Sequence, residues 1–211
     1  MANSSMQLMG FIVAFVGFVG LISSTVVTDW KTSSFTGTSL MTAQSISEGL
    51  WMSCVSQSTG QVQCKMFDSL LEQPTEMQVT RALMIISIFI SAVAIMASMA
   101  GMKCTACLEK DERHKSKVAL MGGMGFALAG MCALVATSWY GNRIVVQFHD
   151  PSVTDYHRYE FGKALFLGWI ASAVSMLGGL ILCCNSVGRN PRQSGRFPQT
   201  HSSNHPGMDY V

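Results

Sequence analysis

The chain has 211 residues, a formal charge of +2, and 12% charged against 49% hydrophobic side chains. Charge that sparse is about half the share of an ordinary soluble domain, and so slight a basic excess leaves no electrostatic footprint for nucleic acid. How the apolar residues are distributed excludes a soluble bundle as well.

Four stretches contain no Asp, Glu, Lys, Arg or His: 7–28, 82–102, 118–140 and 164–184. As helices they measure about 32–35 Å, which matches a hydrocarbon core of about 30 Å. None carries the charged face of an amphipathic soluble helix. The first could be taken for a signal peptide, but residues 1–6 hold no Lys or Arg and the apolar run outlasts a signal core. It is predicted to be a retained span. No ionisable residue lies inside any stretch, so proton relays, ion pumps and intramembrane hydrolysis lack their chemistry. Glycines dot the spans: Gly10, Gly17 and Gly20, then Gly122, Gly123, Gly125 and Gly130, then Gly178 and Gly179. In lipid, small residues mark the faces where helices approach closely.

The segment 29–81 is long for a connector and is predicted to fold. Two short alternating runs flank Gln57-Ser-Thr-Gly60, a hairpin turn signal. Alternation puts Leu50, Met52 and Cys54 on one face, with Val62, Cys64 and Met66 on the same face of the facing strand. Cys54 and Cys64 then oppose each other and are expected to pair. An apolar sheet face needs a cover, and the end of the bundle is available, with Trp30 and Trp51 as interface indoles. Residues 30–42, rich in Thr and Ser, are expected to supply earlier strands, and residues 68–81 a short helix leading into the second span.

Orientation follows from charge. The short loop 103–117 carries Lys103, Lys110, Arg113, Lys115 and Lys117, and the tail 185–211 carries Arg189, Arg192 and Arg196. The loops 29–81 and 141–163 are poorer in Lys and Arg for their length. The basic excess assigns 103–117, the tail and both termini to the cytoplasm, and the other two loops to the outside. Cys54 and Cys64 thereby fall in an oxidising compartment, where disulfides persist. Cys104, Cys107, Cys183 and Cys184 fall at cytoplasmic span ends. They read as S-palmitoylation sites, with free interfacial thiols as the plain alternative. Cys104 and Cys107 have the spacing of half a zinc site, but no second half exists. No metal, cofactor or catalysis is expected. The tail is too polar to fold alone, and its terminal Tyr210-Val211 fits capture by a PDZ scaffold through strand addition.

Trp30, then Gly49-Leu50-Trp51, then Cys54 and Cys64, then Arg81 resembles the W-GLW-C-C signature of the claudin family. The resemblance runs through Arg158-Tyr159-Glu160-Phe161-Gly162 to the tail ending Asp209-Tyr210-Val211. It implies a mainly α membrane protein: a left-handed four-helix bundle bearing an extracellular antiparallel sheet built from both outer loops. It also implies a structural component of tight-junction strands, which polymerises with other claudins in one membrane and pairs with strands of the next cell. By the same resemblance, Lys65 is the pore-facing charge, giving a cation-excluding barrier. Leu70 is the lateral contact, entering a neighbour's pocket beside Phe148, and Tyr159 and Glu160 are second-loop contacts. The run 150–157 departs from the family's usual second-loop sequences. An auxiliary or trafficking role, as in the myelin-protein-22 and channel-regulator relatives, shares the signature; the short PDZ-type tail favours the strand protein.

Overall fold

A computed structural model of the chain describes residues 2–35, 44–57, 59–67, 73–101, 112–149 and 159–187. In chain order these form helix α1 (Ala2–Val26), strands β1 (Lys31–Phe35), β2 (Gln44–Glu48), β3 (Met52–Gln57) and β4 (Val62–Met66), helices α2 (Thr75–Gly101) and α3 (Glu112–His149), strand β5 (Glu160–Phe161) and helix α4 (Lys163–Val187). All four helices are long and apolar enough to cross a membrane. Extensive packing joins α1 to α4, α4 to α3 and α3 to α2.

The bundle is inverted relative to a soluble protein. Phe15, Phe89, Met96, Met121, Leu128, Ile170 and Leu177 point outward, while Ser24, Ser87, Ser91, Thr137, Ser172 and Ser175 are buried. With lipid outside, no apolar face needs hiding, and the interior is free to hold small hydroxyl residues that hydrogen-bond across or along helices. Ser87 Oγ donates to the Ala129 carbonyl at 2.7 Å, linking α2 to α3. Glycine positions make the close approaches. A Cβ on Gly17 would lie 2.6 Å from the Ser175 nitrogen, and one on Gly179 would lie 2.6 Å from the Gly123 carbonyl oxygen. The α1–α4 and α4–α3 seams thus run through glycine.

Two helices outrun the apolar stretches that announce them. α3 continues nine residues past Tyr140, to His149, through what reads as loop. Arg143 marks where the chain leaves the apolar zone, but nothing in Gly-Asn-Arg-Ile-Val-Val-Gln-Phe-His breaks a helix before Pro151. α2 starts at Thr75, seven residues ahead of its apolar stretch, where the Pro74 carbonyl accepts the first amides, from Met77 and Gln78. An Arg143–Glu76 contact at 3.3 Å ties these two extensions together.

The strands form one antiparallel sheet, ordered β4-β3-β2-β1-β5, so both connecting loops contribute to it. The hairpin is as expected. Gln57 pairs with Gln61 across the turn, and Gly60 takes φ +81°, a left-handed conformation that glycine adopts without steric cost. Cys54 stands directly opposite Cys64, and the two are joined, with Cα atoms 4.0 Å apart. The expected burial of that face fails at β4, where Val62 and Met66 are 62% and 68% exposed. β4 is the sheet's edge, and the end nearest the bundle is occupied by Trp30 and Leu50 instead.

Candidate interaction surface

The signature residues converge where the sheet meets the bundle. Trp30 is fully buried, not the interface anchor its residue type suggests. Its Nε1 donates to the Ser24 carbonyl at 2.8 Å, and its ring meets Tyr140 edge-on at 5.3 Å. Such a pair adds about 0.5–1.5 kcal/mol beyond area burial. Leu50 is buried in the same core with Leu21, Met84 and Leu165. Arg81 Nε donates to the Leu50 carbonyl. The Arg81 guanidinium lies 5.4 Å from the ring centroids of both Trp51 and Phe67.

Both connecting loops grip one segment at the head of β1. The Trp30 amide donates to the Glu48 carbonyl, and the Gly162 amide donates to the Trp30 carbonyl, each at 3.0 Å. A Cβ on Gly49 would come within 2.6 Å of Thr28 Cα, and one on Gly162 would overlap the Asp29 carbonyl. Glycine is required at both because backbone crosses backbone there. Gly162 lies in the recognised Arg-Tyr-Glu-Phe-Gly run, yet nothing in the sequence alone shows it to be a crossing point. Tyr140 and Lys31 were equally silent.

A charged cluster sits beside this joint. Lys31 Nζ lies 2.7 Å from Glu48 Oε2 and 4.2 Å from the centroid of the Tyr159 ring. Tyr159 Oη donates to Glu48 Oε1 at 3.4 Å. Burial, and then the neighbouring Glu48 carboxylate, hold the Tyr159 phenol above its ordinary pKa.

Between the α3 extension and β5 opens a groove of about 440 Å³, lined by Ile144, Val145, Phe148, His149, Tyr159, Glu160, Phe161 and Phe166. The structure therefore brings Phe148, Tyr159 and Glu160 to one apolar concavity. Lys65 is exposed on β4, on the sheet face opposite Cys64 and opposite Ser53 in the ladder. Cys183 is half-buried against α3, 3.9 Å from the Leu120 carbonyl, whereas Cys184 is exposed. Leu70, Cys104, Cys107, Tyr210 and Val211 lie outside the described residues. Among the described residues, no group of three His, Cys, Asp or Glu side chains could hold a metal ion.

A four-helix membrane bundle that carries a disulfide-stapled sheet on one end, locked by a tryptophan, a Gly-Leu-Trp turn and an arginine, is a defined architecture. The chain matches the PMP-22/EMP/MP20/Claudin family over residues 4–182. It is 50% identical to Claudin-1 of Mus musculus over the full length of both chains. It is 43% identical to Claudin-7 of Homo sapiens, again over both full lengths. Against Claudin-19 of Homo sapiens it is 46% identical over 95% of this chain and 89% of that one. The chain belongs to the claudin family.

Proposed function

We propose that this protein is a strand-forming component of tight junctions, which polymerises within one membrane, pairs with strands of the adjoining cell and so limits paracellular passage. One observation carries the reading: likeness to Claudin-1 along the whole chain comes with a sheet held rigidly on the bundle by Trp30, Gly49, Gly162 and Arg81. A surface fixed in that way can meet identical surfaces repeatedly in one register. The sheet faces outward and both termini lie in the cytoplasm, in keeping with the Lys and Arg excess in 103–117 and the tail.

In this reading the groove beside Phe148 receives Leu70 of a neighbouring copy, and Tyr159 and Glu160 border that contact. Lys65 faces the path between cells and biases the barrier against cations. Tyr210 and Val211 dock a PDZ scaffold, and Cys184, exposed at the end of α4, is the better placed of its pair for a palmitoyl chain. The work is mechanical and electrostatic, with no catalytic step.

Freeze-fracture imaging of junction-free cells expressing the protein tests the reading. Continuous intramembrane strands at cell contacts are expected. Surface delivery without strands would refute it and favour an auxiliary-subunit role.

A further inference from the structure

We propose that Lys31 neutralises Glu48 within the sheet and is thereby a specificity-determining residue for ion passage, the pair being kept electrically silent by its packing. This rests on the barrier reading above. Lys31, Glu48, Ser53 and Lys65 stand in one row across β1, β2, β3 and β4, each directly opposite the next. Residues opposite one another in an antiparallel ladder share a face, so the pair and Lys65 look out from the same side. By the same register Glu160, opposite Thr32, belongs to the other side.

The pair is built to persist. Its side chains are 16% and 21% exposed, so salt screens them less than an ion pair standing free in water. Both carboxylate oxygens of Glu48 are engaged, one by Lys31 and the other by the Tyr159 hydroxyl. The Lys31 ammonium also lies over the Tyr159 ring. Tyr159 is thus a positioning residue that holds acid and base together from the second connecting loop. With both partners present, the row receives no net charge from β1 and β2. Removing one leaves a unit charge two strands, about 10 Å, from Lys65, close to the Debye length of about 8 Å at physiological salt.

The test is the dilution potential across monolayers expressing the full chain. Lys31→Met leaves Glu48 uncompensated and should raise the sodium-to-chloride permeability ratio about two- to fourfold, the Boltzmann effect of one charge several ångströms from an aqueous path. Glu48→Gln should lower the ratio by a similar factor, because Lys31 is then unbalanced. The double variant should return to the wild-type ratio, and Lys31→Arg should not move it. A purely structural role would instead lower resistance in both single variants without opposite signs. Shifts of the same sign, or a double variant that fails to return, would overturn the proposal. Should the single variants fail to reach the surface, the swapped pair Lys31→Glu/Glu48→Lys must restore both delivery and the wild-type ratio; a swap that fails as well overturns the pairing. Lys65→Asp run alongside separates the layers of argument. A ratio moved by Lys65→Asp but not by Lys31→Met sinks the neutralisation alone. A ratio indifferent to every variant counts against this sheet face as the ion path.

Discussion

Arg81 Nε donates to the Leu50 carbonyl, and through that bond the first turns of α2 hold the corner between β2 and β3. A second arm of the guanidinium reaches Met77 Sδ at 3.3 Å, and Trp51 and Phe67 flank it. The planar group joins helix, sheet corner and the segment after β4 in one contact. Only 5% of the residue is exposed.

Arg81→Ala should therefore destabilise the fold by about 1–3 kcal/mol, since the buried Leu50 carbonyl loses its donor. Arg81→Lys should fall between, because an ammonium offers one compact donor and no flat face for the two rings. Thermal denaturation in detergent measures both. An Arg81→Ala chain that melts with the wild type would show the bond to be idle.

Gly162→Ala should be far more damaging than Gly60→Ala. At Gly162 the added methyl would meet the Asp29 carbonyl and the Trp30 backbone, so strand β5 could no longer close on β1. At Gly60 the surroundings are open and the cost is the left-handed backbone alone, about 1–2 kcal/mol. Surface biotinylation of the two variants gives the ranking. Equal delivery would contradict the crossing described at Gly162.

Loss of the Cys54–Cys64 link should cost about 3 kcal/mol, the value expected for closing so short a loop. The loss bears on the hairpin most, because β4 is an edge strand whose every residue is exposed and which little else holds. Cys54→Ala and Cys64→Ala monolayers should show reduced surface protein or reduced electrical resistance. Undiminished resistance in either would mean that the hairpin does not need its staple.

Leu70→Asp should interrupt strands while leaving surface delivery intact, and Phe148→Asp, in the groove that would receive Leu70, should do the same. Each substitution places a carboxylate in an apolar contact, at a cost of several kcal/mol unless it is neutralised. Freeze-fracture replicas are the measurement. Long unbroken strands in both variants would place the lateral contact elsewhere.

The four helices were legible because their signal is compositional. A stretch of about twenty residues without charge has one stable solution in lipid, with every backbone group bonded internally. The glycine-lined seams were legible for a related reason, since lipid removes the hydrophobic drive between helices and leaves close packing. The Cys54–Cys64 pairing followed from strand alternation around a turn at Gly60. The helix ends at Thr75 and His149 were not legible, because leaving an apolar zone and leaving a helix are separate events, and only the first is written in hydropathy. Among the interaction residues, the order of Trp30, Gly49, Leu50, Trp51 and Arg81 could be seen along the chain, but not that Trp30 is buried and that Arg81 bonds a carbonyl. The grouping of Phe148 with Tyr159 and Glu160, the crossing at Gly162, and the Lys31–Glu48–Tyr159 cluster join residues up to 128 positions apart. Strand order and helix extension decide those meetings; local pattern does not. Sequence by itself determined that the chain spans a lipid bilayer four times with a stapled hairpin, because burial and backbone satisfaction act on each segment separately. Tertiary structure alone decided which charges and aromatic rings face one another, because that depends on register between strands that are distant in the chain.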